Sequence, residues 1–334
     1  MKINYVAYLD PFTYSGGGEM ILRQLIETGR SLGHRIKISS MFINKRIDLH
    51  LEPDLFLLAD LHNFSLDKLL KIERTAIRGR FFGKRFLHSI IRRYPYIHID
   101  NSYVDVCNYD YLPCNGNVYC ASCPKKPTVL HQCVLGLIQK VFSVDVLEIR
   151  EELYSKALVN VFLSPLHRQI VEQVIGTDIV GDSYILRPLI DTTTFYNKGY
   201  PRDIENLFAG VPCEAKGLEA LKNRFPDGDI TMLGENVREK GAGFGNRLGY
   251  VEYEKMVDYY NRAQNFVFIP RWPEPQGRVV VEAALCGCNL VTNRNVGATS
   301  FDFDLSNPSN LVGAAEEFWQ MVAGAIKGEG KCLG

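Results

Sequence analysis

Residues 3–42 run strand, glycine loop, helix, strand, and the same succession recurs along the rest of the chain. Ile3 to Leu9 alternates as a strand and leads into Gly16, Gly17 and Gly18. Met20, Ile21, Leu25 and Leu32 then fall at helical spacing, Gly33 ends the helix, and Arg35 to Phe42 returns to strand spacing. Strands joined through a helix pair in parallel, because the helix carries the chain back to the edge where the last strand began. The expectation is α/β architecture with largely parallel sheets.

Leu55 to Leu61 and Tyr96 to Ile99 continue the short strands. Between residues 101 and 127 the periodicity stops in a stretch rich in Cys, Asn, Tyr and Pro, an irregular insertion that needs a cross-link. Regularity resumes with strand Val159 to Leu163, helix Pro165 to Val174 and strand Tyr184 to Leu186. Residues 188–204 carry Pro, Gly and Thr without an apolar period and read as an interdomain linker. The second half repeats the logic, from strand Leu207 to Val211 and helix Lys216 to Asn223 to a final helix Asn310 to Lys327. At 334 residues the chain is long enough for two domains, placed here at 1–187 and 205–334. Two such units facing across a cleft put a ligand at the carboxyl ends of the strands.

Hydrophobic residues at 46% and charged residues at 23% fit a globular protein and exclude a disordered or collagen-like chain. MKINYVAYLD lacks the apolar core of a signal peptide, and no stretch approaches the roughly 18 apolar residues of a membrane span. The expectation is a cytoplasmic protein, soluble or peripheral on the inner membrane face. The net charge is zero but unevenly placed: residues 1–98 hold 16 Lys/Arg against 9 Asp/Glu, and the remainder 22 against 29. Nine bases between Lys68 and Arg93 face only Glu73, and Phe81, Phe82 and Phe86 are interleaved with them. Such a run suits an anionic lipid surface, a nucleic acid, or simply a solvated helix pair.

The stretch PRWPEPQGRVVVEAALCGCNLV, residues 270–291, sets Glu274 and Glu282 seven residues apart. With Gly277 opening a helix, two carboxylates would lie near free helix N–H groups, a combination suited to sugar hydroxyls and a diphosphate. A solvated Glu274 and an ordinary helical Glu282 would give the same spacing. This region resembles the E-x7-E segment of family 4 retaining glycosyltransferases of the GT-B fold, in its EP-x-GR-x-x-x-EA-x-x-x-G variant. YSGGGEMILRQLIETGRSLGHRIKI, FLSPLHRQIVEQVIG and LFAGVPCEAKGLEAL resemble further segments of that family, in the same order.

The resemblance implies two Rossmann-like domains and transfer of a hexose from a nucleoside diphosphate sugar to a hydroxyl acceptor, a glycan or glycolipid. It places Glu274 on the donor sugar, Glu282 on the nucleotide ribose, Lys216 on the diphosphate and Gly16, Gly17 and Gly18 close to the donor or acceptor. Catalysis would need no divalent metal. A nicotinamide reading fails, since GGGEMI has Ile21 where the third glycine of G-x-G-x-x-G belongs. Two departures matter. Gly210-Val211 stands where the family usually has Gly-Arg, so Arg271 or Arg278 would have to complete the cationic clamp. Asn101, with Asp100 and His98 nearby, stands where many relatives carry a histidine.

Cys107, Cys114, Cys120 and Cys123 resemble an insertion found in some members and could hold a structural zinc, or remain reduced, partly buried thiols. Cys133, Cys213, Cys286, Cys288 and Cys332 read as packing residues. Rival readings are a phosphorylase or epimerase of the same fold, a sugar-nucleotide-binding protein without turnover, and a glycosyltransferase acting on modified nucleic acid.

Overall fold

The computed structural model describes residues 1–7, 9–13, 16–40, 48–59, 61, 87–103, 106, 146–234 and 243–328. Among these, the first unit is a six-stranded parallel sheet of β1 (Lys2–Ala7), β2 (Arg35–Ser40), β3 (Leu55–Ala59), β4 (Tyr96–Ile99), β5 (Asn160–Phe162) and β6 (Ser183–Ile185). Its order is β2-β1-β3-β4-β5-β6. The second is a five-stranded parallel sheet of β7 (Ile204–Ala209), β8 (Thr231–Leu233), β9 (Asn246–Gly249), β10 (Ala263–Phe268) and β11 (Asn289–Thr292), ordered β11-β10-β7-β8-β9. β3 is buried at all five positions, as a strand covered on both faces requires.

Helices α1 (Gly17–Ser31), α2 (Val146–Ser155) and α3 (Pro165–Ile175) belong to the first unit, and α4 (Leu218–Arg224), α5 (Tyr253–Arg262) and α6 (Arg278–Leu285) to the second. α3 begins where its sequence says it should: Ser164 caps it, its hydroxyl accepting from the His167 N–H at 3.1 Å, and Pro165 fills the first turn. β7 begins at Ile204, the last residue of the segment expected as the 188–204 linker.

The last helix, α7 (Ala314–Lys327), follows the second unit in sequence but packs into the first. Phe318 and Trp319 are buried against Ile21, Leu22, Leu25 and Ile26 of α1, and Trp319 Nε1 donates to the Leu25 carbonyl at 2.9 Å. Burying two such rings contributes roughly 1.5–3 kcal/mol each. The end of the segment assigned as 205–334 therefore completes the amino-terminal core, an outcome of tertiary packing that strand and helix order do not encode. Among the described residues no helix is long and apolar enough to cross a membrane.

Each sheet has one place where consecutive strands leave in opposite directions: between β1 and β3 in the first, and between β7 and β10 in the second. Crevices outside the carboxyl ends of strands at such points are where open α/β sheets take ligands.

Candidate functional site

The loops leaving β7 and β10 carry Lys216 and Glu274. Gly217, after the lysine, has φ +85°, and a side chain there would strike the Ile269 carbonyl oxygen at 2.1 Å. Only glycine lets the β7 loop lie this tightly against the end of β10. The Arg271 and Trp272 amides then donate to the Ala215 carbonyl at 3.1 and 3.0 Å, clamping the two loops together. Within this clamp Lys216 Nζ makes a direct ion pair with Glu274, and the ammonium sits 4.8 Å from the centre of the Trp272 ring. Glu274 is fixed through its backbone, its amide donating to the Asn295 carbonyl at 2.7 Å and its carbonyl accepting from Gly297 at 2.9 Å.

Gly277, with φ +82°, opens α6. Arg278 follows it and turns inward: its guanidinium donates to the Leu189 carbonyl of the linker and to the Tyr253 hydroxyl, the latter at 3.0 Å, and lies 3.7 Å from Glu282. Glu282 is 2% exposed, with one oxygen accepting from the Tyr253 hydroxyl at 2.9 Å and the other from Tyr260 at 3.2 Å. Burial raises its carboxyl above the ordinary range, and Arg278 with the two tyrosines only partly offsets that. Tyr253, Tyr260 and Arg278 thus occupy the Glu282 carboxylate in this structure. Arg271, the other expected cation, pairs instead with Glu214 at the surface, and Val211 is half exposed.

The first unit supplies the facing wall. Gly16 caps α1, and Gly17 lies where a side chain would contact Arg278 Cδ at 3.6 Å, so the glycine loop and the α6 arginine meet across the cleft. At Gly18 a Cβ would sit 2.8 Å from Asn101 Nδ2, which brings the β4 exit against the same loop. The two units also bond directly: the Ser164 hydroxyl donates to the Pro275 carbonyl, and the Leu166 amide to Ser300 Oγ at 3.0 Å.

Asp100, just before Asn101, is buried and takes hydrogen bonds from the Tyr154 hydroxyl and, at 3.4 Å, from the Ser102 amide. His167 Nε2 lies 3.5 Å from it and 3.1 Å from the Ser102 carbonyl. Burial alone would raise the Asp100 carboxyl, but His167, His98 and Tyr154 together outweigh it and hold the carboxyl below its usual range. His98 and His167 are fully buried and organised around this carboxylate.

Cys107, Cys114, Cys120, Cys123, Cys133 and Cys332 lie outside the described residues, as does the basic run from Lys68 to Arg85. Among the described residues no cluster of His, Cys, Asp and Glu is placed to hold a metal. Two Asp-x-Asp sequences occur in the chain, Asp227/Asp229 and Asp302/Asp304. Asp227 and Asp229 precede β8 at the end of the sheet away from the cleft, and Asp304 is spent on Ser306. Cys286 and Cys288 are buried, and burial pushes their thiols up to about 12 and about 11.

No protein-family model matches the sequence, and no curated protein matches it. Solved structures do match over nearly the whole chain. Sucrose-phosphate synthase from Thermosynechococcus elongatus superposes with a TM-score of 0.59 at 14% identity, covering 97% of this chain and 90% of that one. The chain has the GT-B fold. HepE of Anabaena in complex with UDP-glucose matches with a TM-score of 0.55 at 13% identity over 98% and 92% of the two chains. An alpha-glucosyltransferase in complex with UDP and a 13-mer DNA containing a central A:G mismatch gives 0.51, 13%, 98% and 92%. In the GT-B arrangement of this chain, Lys216, Glu274 and Arg278 stand on the wall of one domain and Gly16 to Gly18 with Asn101 on the other.

Sequence reasoning missed Ser164, Tyr253 and Gln276 as cleft residues. Ser164 carried the signal of a helix cap and nothing of its reach across the cleft.

Proposed function

We propose that this chain is a retaining glycosyltransferase that moves a hexose from a nucleoside diphosphate sugar to a hydroxyl acceptor. The observation that carries the reading is the Lys216–Glu274 pair at the β7/β10 switch point, with Arg278 of the same wall facing Gly17 across the cleft. Departure of a nucleoside diphosphate builds negative charge on the diphosphate. Lys216, Arg278 and the N-terminal N–H groups of α6 supply fixed positive potential for it. Glu274, held by Lys216, accepts hydrogen bonds from hexose hydroxyls. Glu282 serves the nucleotide side by fixing Arg278 and, once Tyr253 turns away, by accepting from the ribose. Retention of configuration rests on the E-x7-E resemblance, and the UDP and UDP-glucose complexes among the matched structures support the class of donor.

For the acceptor, the basic run at 68–93 favours a glycan or glycolipid hydroxyl at an anionic membrane face. The rival acceptor is a modified nucleic acid, which the DNA complex among the matched structures brings forward. Incubation with UDP-, GDP-, ADP- and dTDP-hexoses, alone, with acceptor glycolipids in anionic vesicles, and with DNA carrying hydroxymethyl bases, tests both. The expected result is nucleoside diphosphate release stimulated by the glycolipid, with the anomeric configuration of the donor preserved in the product by NMR. Stimulation by DNA alone moves the acceptor assignment, and inversion removes the retaining assignment.

A further inference from the structure

Trp272 belongs to the loop after β10, on the donor wall, yet its indole packs into a cluster shared with the other unit. Tyr103, Phe162 and Val171 of the first unit join Ala215 and Trp272 of the second in one apolar core, where Trp272 is 5% exposed. Its ring meets Tyr103 edge-on, with 6.0 Å between centroids and 86° between planes, and Tyr103 in turn meets His167 at 4.8 Å and 77°. Ala215 immediately precedes Lys216 and accepts from the Trp272 amide. The docking of the two units therefore reaches Lys216 through both the backbone and the side chain of Trp272.

A lysine carries a point charge on a flexible four-carbon stem, and an ion pair sets its distance from the carboxylate without setting its direction. Lys216 has more than its ion pair. The ammonium stands 4.8 Å from the centre of the Trp272 ring and 5.8 Å from that of Phe268. Both distances lie within the roughly 6 Å over which an aromatic face attracts a cation, and indole attracts most strongly. The Lys216 side chain is only 17% exposed, so little water weakens that attraction. Phe268 is fixed in β10, inside the second unit's own core. Trp272 is the one of the two rings whose place depends on the first unit.

We propose that Trp272 is a positioning residue for the transfer reaction: held by the first unit, its ring places the Lys216 ammonium for the departing diphosphate. The proposal rests on the glycosyltransferase reading above and adds to it how one domain sets the charge that acts from the other. Buried beside the lysine, Trp272 acts through Lys216 and not on the substrate. With the units apart the ring loses Tyr103, and the ammonium loses its fixed direction while keeping its carboxylate.

The test is steady-state turnover, with the donor that wild type uses best, of Trp272→Phe, Trp272→Leu, Lys216→Met and the Trp272→Leu/Lys216→Met double variant. A misplacement of about 1 Å can cost about 100-fold in rate, so Trp272→Leu is expected to lose roughly tenfold to 100-fold. The loss falls on kcat more than on KM, because charge on the diphosphate is greatest as its bond to the hexose breaks. Trp272→Phe, which keeps a ring beside the ammonium, should stay within about fivefold of wild type. In the Lys216→Met background the leucine should cost less than about threefold further, because the group it misplaces is gone. A tryptophan that only packs gives the same loss in both backgrounds, and that result overturns the proposal. So does wild-type kcat in folded Trp272→Leu, or a phenylalanine no better than leucine. Tyr103→Leu removes the ring on which Trp272 rests and should lower kcat with the same dependence on Lys216. It gives the readout should Trp272→Leu fail to fold, and wild-type kcat there overturns the proposal as well. A wild type that turns over no donor overturns the glycosyltransferase reading itself. An active wild type with additive variants leaves that reading standing and removes only the role of Trp272.

Discussion

Lys216 and Glu274, 58 residues apart, form an ion pair whose side chains are only 17% and 15% exposed, with the Trp272 ring packed beside the ammonium. A pair this sheltered is screened less than a surface pair, and removing one partner leaves the other charge poorly solvated. Lys216→Met and Glu274→Gln should each destabilise the protein by about 1–3 kcal/mol in urea unfolding. A double-mutant cycle should return coupling above the ~1 kcal/mol typical of exposed pairs. Additivity of the two substitutions would show that the pair is incidental.

Glu282 is held by two tyrosine hydroxyls in a buried site that raises its carboxyl. The linkage has a definite sign: its contribution to stability is full below the unfolded value of about 4.3 and is lost as pH rises through the folded value. The stability that wild type holds over Glu282→Gln should therefore shrink as pH rises from about 4 towards neutrality, measured by denaturant titration at several pH values. A difference that grows with pH would contradict the buried placement of this carboxylate.

Asp100 behaves oppositely. His167, His98 and Tyr154 hold its carboxyl low against the pull of burial, so its contribution is present above the unfolded value of about 3.9 and is lost as pH falls through the folded value. Asp100→Asn should cost about 2–4 kcal/mol at neutral pH and flatten the acid limb of the stability profile. Tyr154→Phe should reproduce part of that loss, since it removes one hydrogen bond to the same carboxylate. An unchanged acid limb in Asp100→Asn would rule out this account of the network.

Gly29 of α1 faces Trp319 of α7 so closely that a Cβ would sit 2.2 Å from the indole and 2.8 Å from Ile36 Cδ1. Gly29→Ala should improve helix propensity and yet destabilise the protein by about 1–3 kcal/mol through overpacking. Indole fluorescence should report the displaced ring. Stabilisation by the alanine would mean that α7 does not dock on α1.

The parts of the fold that were readable lie where local chemistry decides the outcome. Strand β4 at Tyr96–Ile99 and the start of α3 at Pro165 come directly from apolar spacing and helix-start chemistry. The residues singled out from sequence occupy the cleft-side ends of their elements: Gly17 and Gly18 open α1, and Lys216 and Glu274 lie in the loops that follow β7 and β10. What the sequence hid is contact between distant segments. Nothing near Glu282 announces that Tyr253, 29 residues earlier, will cover it. Nothing near Trp319 says that it will pack on Leu25, 294 residues away. Gln276 looked like one polar residue in a polar loop, and its reach to Leu163 appears only once the two domains are side by side.

The central claim is that Lys216 and Glu274 form the machinery of a sugar-nucleotide transferase, and nucleoside diphosphate release in the presence of acceptor tests it most directly. Wild type, Lys216→Ala and Glu274→Gln are compared with the donor that wild type uses best. Loss of one preorganised electrostatic contact to the transition state costs about 10²–10³ in rate, so both variants should fall by at least about 100-fold while remaining folded by circular dichroism. Release by the two variants at the wild-type rate, or none from wild type with any hexose donor, would contradict the account.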